Sequence, residues 1–80
     1  MPRGRKSYVE TNPRTFAELL VAARARSGLT QHALADRLGI GVSTIGDLER
    51  GRRGPPNLRT VQRLAAALCC PIIELIPEAD

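Results

Sequence analysis

Aromatic residues are almost missing from this sequence: one Tyr, one Phe and no Trp in 80 residues. That excludes the stacked aromatic platforms that hold single-stranded nucleic acid. It also argues against a β-rich fold, which favours aromatic and β-branched side chains. Cysteine is nearly as scarce, and the two present are adjacent, Cys69 and Cys70. A disulfide framework or a zinc site needs separated ligands, so neither is expected. Neighbouring cysteines bridge only with strain, so the simpler reading is two free thiols at a helix end or in the core of a cytoplasmic protein. No apolar run nears the roughly 20 residues of a membrane span, and no secretory leader pattern is visible. His32 is the only histidine, and no catalytic Ser/His/Asp, Cys/His or paired-carboxylate pattern accompanies it. An enzyme is not expected, and neither a cofactor nor a metal.

Basic residues are missing from residues 64–80, which hold three acids, whereas residues 1–63 hold all twelve basic residues and five acids. One end therefore suits a polyanion and the other does not. Eleven of the twelve basic residues are Arg, whose planar fork fits phosphate or guanine in a bidentate manner. A merely solvated basic surface is the alternative. Eighty residues make one domain, burying about 60–65% of the surface its unfolded form exposes. Ala, Leu and Arg dominate, and all three favour helix.

Residues 1–13 read as a polar arm, with Arg3, Arg5 and Lys6 at its tip. Residues 14–76 read as the folded domain and 77–80 as a tail. A first helix begins at Thr15, where Thr15 and Glu18 have capping-box spacing. Phe16, Leu19, Leu20 and Ala23 follow at helical intervals, and Gly28 ends the run. Thr30 caps a second helix that buries Leu34, Ala35 and Leu38 and stops at Gly39. A third helix over about 42–50 has Gly41 at its N-cap, Ile45 and Leu48 facing inward, and Gly51 beyond its end. Gly46, in its middle, is expected on the exposed or the DNA-facing side, where the lack of a side chain would matter. Residues 51–56 form a basic loop that cannot be helical. Asn57 caps a fourth helix carrying Leu58, Val61, Leu64, Ala65 and Leu68. Pro71 opens a short fifth helix, and Pro77 ends it.

Five short helices with a glycine-hinged pair in the middle suggest a helix-turn-helix. The run LTQHALADRLGIGVSTIGDLERG over 29–51 resembles the core of the phage-repressor and Cro-type family, also called the XRE family. Thr30-Gln31, Leu34-Ala35, Gly39, Ser43-Thr44-Ile45 and Glu49-Arg50-Gly51 carry the likeness without a gap. It continues through Asn57-Leu58 and Leu64 to Leu68, and covers about 15–76. The resemblance implies an all-α, compact five-helix lambda-repressor-like domain with a flexible N-terminal arm. It also implies a transcriptional regulator that binds double-stranded DNA, with the third helix in the major groove.

By family position, Gly41, Val42, Ser43 and Asp47 would read bases. Val42 suits a thymine methyl, Ser43 either base type, and Asp47 a cytosine amine. The sequence departs from the family here, because Gln, Arg or Asn more often fill these places. Asp47 would instead support an Arg neighbour in the plainer reading. Gln31, Thr44, Arg50, Arg52 and Arg53 would meet the phosphate backbone. The resemblance pairs Arg24 with Glu49 as a partly buried ion pair between the first and third helices. The segment Pro2-Arg3-Gly4-Arg5-Lys6 resembles an AT-hook core, in which Arg side chains lie in a narrow minor groove.

Ile72, Ile73, Leu75 and Ile76 are too many apolar residues for one small core, so they are expected to form a homodimer seam. A palindromic operator would follow. Two other readings stay open. One is an antitoxin that covers a protein partner, and the other is the DNA-binding piece of a larger complex.

Overall fold

The structure is a computed structural model that describes residues 15–52 and 56–77. Among the described residues every regular element is helical: α1 (Phe16–Ser27), α2 (Gln31–Leu38), α3 (Val42–Glu49), α4 (Leu58–Leu68) and a terminal 3-10 helix (Ile72–Leu75). The arm with Arg3, Arg5 and Lys6, the loop residue Arg53, and residues 78–80 lie outside the described residues.

Local chemistry sets the helix starts. The Thr15 hydroxyl accepts from the Glu18 N–H at 3.2 Å, and the Glu18 carboxylate accepts from the Thr15 N–H at 3.0 Å. The capping box read from the sequence is therefore closed on both sides. Thr30 caps α2 through the Ala33 N–H, and Asn57 caps α4 through the Thr60 N–H. Gly41 has no side chain to offer, and α3 starts without a side-chain cap.

Helix ends follow one repeated pattern. After α2, the N–H groups of Gly39 and Ile40 turn back to the carbonyls of Asp36 and Ala35. After α3, those of Gly51 and Arg52 reach Leu48 and Asp47. Both are Schellman closures, which place the residue past the helix in left-handed backbone. Gly39 meets that demand at φ 71°, freely because it lacks a Cβ. The third closure, after α4, has the same bonds, but Cys69 occupies the left-handed position at φ 57°.

Helices of eight residues, such as α2 and α3, are not stable alone in water. Burial of their apolar faces holds them. The core comprises Leu20, Ala23, Leu34, Ala35, Leu38, Ile45, Leu48, Val61, Leu64, Ala65, Leu68 and Leu75, drawn from every element. Five of these, Leu20, Leu34, Ile45, Leu64 and Leu75, are buried completely or nearly so. Each such side chain contributes about 1.5–3 kcal/mol. Ala35 lies within the same core.

The C-terminal segment corrects two expectations. The fifth helix is a single 3-10 turn, closed by the Glu74 N–H on Pro71 O and the Ile76 N–H on Ile73 O. Pro71 and Pro77 leave too few residues between them for an α-helical ladder. Leu75 was expected at a dimer seam but is 0% exposed, because it fills the core of its own subunit. Ile72 is half-buried against the same core, whereas Ile73 is 72% and Ile76 42% exposed.

Candidate nucleic-acid interface

Helix α3 is anchored from beneath by Ile45 and Leu48, both buried. One turn of an α-helix takes 3.6 residues, so burying these two directs Ser43, Asp47 and Arg50 to the opposite side. Ser43 and Arg50 are exposed, and Asp47 is half-buried. Gly41, at the helix start, is exposed, and Val42 is half-buried and packs partly on the core. Thr44 lies on the flank, lining a groove with Leu38, Ile40 and the start of α4. Arg52, just past the helix, is exposed.

A polar clamp ties this helix to the two before it. The Arg24 guanidinium donates through Nε and one amino group to both oxygens of Glu49, the latter at 3.0 Å. Its other amino group donates to the Leu29 carbonyl at 3.0 Å. The Gln31 amide donates to Glu49 Oε1 at 2.9 Å. The expected ion pair between the first and third helices is thus present, and Gln31 joins it. Burial pushes the Glu49 carboxyl up, but hydrogen bonds from Arg24 and Gln31, with the Arg24 charge, outweigh it and hold it below the ordinary range. The same bond raises Arg24. The clamp fixes α3 where α1 and α2 meet, so the exposed face of α3 has a set orientation.

Gly46 is another correction. It is buried rather than exposed, because the Arg50 side chain lies back over it. The Arg50 guanidinium also approaches Asp47 Oδ1 at 3.4 Å. Asp47 therefore does neighbour an Arg, in line with its plainer reading.

The basic residues divide in a way that composition concealed. Arg24 serves the clamp. Arg26 pairs with Glu74 at 2.8 Å, linking α1 to the 3-10 helix. Arg37 of α2 donates to the Ala67 carbonyl near the end of α4 at 2.9 Å, and Arg63 of α4 donates to the Leu38 carbonyl at the end of α2 at 2.7 Å. The two helices thus cap one another's C-terminal carbonyls. Arg37 stood in the last turn of its helix, a position that signals such a role. Arg63, in mid-helix, gave no signal.

Residues 15–76 match the family model described as a helix-turn-helix domain. The chain is 37% identical over 65 residues to the HTH-type transcriptional repressor RghR of Bacillus subtilis, covering 81% of this chain and 48% of that protein. It is 38% identical over 64 residues to an uncharacterized HTH-type transcriptional regulator, RghRB, of the same organism, covering 80% and 46%. The chain therefore spans about half the length of these relatives. It is also similar to the solved structure of the restriction-modification controller protein C.AhdI from Aeromonas hydrophila. There the TM-score is 0.70 and the identity 36%, over 76% of this chain and 87% of that one. With the clamped α2–α3 pair, these matches establish that the chain belongs to the helix-turn-helix family of the phage-repressor and Cro type, a family of DNA-binding regulators and not of enzymes.

Proposed function

We propose that this protein is a sequence-specific transcriptional regulator that binds double-stranded DNA as a homodimer on a palindromic operator. The observation that carries the reading is the presentation of α3. Its inner side is held by Ile45, Leu48 and the Arg24–Glu49–Gln31 clamp, and its outer side offers Ser43, Asp47 and Arg50. A helix so fixed enters a major groove with a defined register. Gly41, Val42, Ser43 and Asp47 approach base edges. Gln31, Thr44 and Arg52 approach phosphates on either side, joined by Arg53, while Arg3, Arg5 and Lys6 of the arm enter the minor groove. The names of the relatives, a repressor and a restriction-modification controller, favour regulation.

Exposed Ile73 and Ile76 on the 3-10 helix support the dimer, since apolar side chains this open favour a partner surface. A two-fold pair then sets half-sites about 34 Å apart, one turn of DNA. Selection from a random DNA pool, with sedimentation of the free protein, tests both parts. A two-fold motif at one-turn spacing and a dimer mass are expected. Binding without a motif that vanishes at moderate salt would leave only non-specific contact and shift weight to a partner-covering role.

A further inference from the structure

We propose that Arg50 reads a guanine through the major groove and that Gly46 is the residue that positions it. This rests on the reading that α3 enters that groove. By sequence position Arg50 sits past the end of α3, where a contact to the DNA backbone is the natural assignment. The side chain does not stay there. Helical side chains lean toward the N-terminus, and Arg50 follows that direction onto the residue four positions back. A Cβ built on Gly46 would lie 3.1 and 3.3 Å from its two amino nitrogens and 3.5 Å from the central carbon. Both amino nitrogens lie nearer than the central carbon, so the amino edge of the planar group is turned toward Gly46, with the plane tilted over it. Its charged end therefore rests on the middle turn of α3, between the exposed Ser43 at the start and the loop beyond.

Three features suit this placement to a base rather than a phosphate. The guanidinium rests on the same outer face as Ser43 and Asp47, the residues expected at base edges. Asp47 Oδ1, at 3.4 Å, steadies one amino group and sets the rotation of the fork. The side chain remains 56% exposed, so part of it is open to a ligand. A fixed planar fork in a major groove matches the O6 and N7 acceptors of guanine. Gly46 favours this placement, because a Cβ there would crowd the guanidinium and oblige it to shift by a few tenths of an ångström. A mid-helix glycine, unfavourable for the helix itself, thereby acquires a purpose.

The test repeats the random-pool selection with the intact protein, Arg50→Lys and Gly46→Ala. Lysine keeps the charge but loses the fork. Alanine keeps Arg50 but crowds its resting place. The wild-type protein should select one guanine per half-site that Arg50→Lys loses by about tenfold and Gly46→Ala weakens to a lesser degree, with the rest of the motif retained. Melting curves show whether Gly46→Ala remains folded; if it does not, Arg50→Lys decides. A uniform change across all sequences for Arg50→Lys would mark a phosphate contact and overturn the inference. No wild-type motif would instead remove the operator reading, and this inference with it, so the wild-type result separates the two failures.

Discussion

Replacing Glu49 with Gln keeps the shape of the side chain but removes the charge that Arg24 faces. Arg24 is held by two bonds to the Glu49 carboxylate and one to the Leu29 carbonyl, and Gln31 adds a fourth bond to the cluster. The Glu49 side chain is 6% exposed and that of Arg24 20%. Stripping one partner from a deeply buried pair costs about 3–5 kcal/mol. Arg24 keeps some access to water, so the loss expected for Glu49→Gln is about 2–3 kcal/mol. In a domain of this size that lowers Tm by about 10–20 °C. Thermal unfolding followed by circular dichroism measures it. Arg24→Met should cost a similar amount, and the double variant less than the two together, with coupling of about 1.5–3 kcal/mol. A loss below about 1 kcal/mol with no coupling would refute the reasoning, because the pair would then behave as a surface ion pair.

The remaining predictions are more local. Because the folded Glu49 carboxyl lies below its ordinary value of 4.5, the unfolded chain binds more protons as pH falls. The clamp should stabilise fully above that value and fade as pH drops through the lower folded one, and Glu49→Gln should flatten that part of an acid melting series. Cys69→Gly should raise stability by about 0.5–1 kcal/mol, since glycine takes the left-handed backbone at φ 57° without a Cβ clash; an unchanged or lower Tm would contradict this. Burial first, then the nearby Glu74 charge, raises the Cys70 thiol, whereas Cys69 is exposed. Iodoacetamide at neutral pH should therefore label Cys69 first, as read by peptide mass. Thr15→Ala should cost about 1 kcal/mol in a denaturant series by opening the capping box, and no measurable loss would count against it.

The clamp and the mutual carbonyl caps change the meaning of the charge pattern. Arginines at 24, 26, 37 and 63 hold helices to one another. The described basic residues outside that set are Arg50, Arg52 and Arg59, so the candidate interface is narrower than the net charge suggests. Salt dependence should follow these few groups, with those of the arm and loop, rather than all twelve.

Helix starts, helix ends and the pairing of α2 with α3 were legible in the residues alone. These features depend on neighbours three to five positions away: Thr15 with Glu18, Thr30 with Ala33, Asn57 with Thr60, Gly39 in its turn. Interactions of that range are written directly in sequence order, and so was the inward pair Ile45 and Leu48. The partnership of Arg24 and Glu49, 25 residues apart, came through family resemblance rather than spacing. What remained needed the assembled molecule. Four apolar residues near the end looked alike as one patch, yet packing drew Leu75 into the core and left Ile73 outside. Gly46 looked open until the Arg50 side chain covered it, and nothing in the sequence signalled that folding would set Arg63 beside the end of α2. A side chain's reach and a core's remaining volume are properties of three-dimensional packing, and no short-range pattern along the chain encodes them.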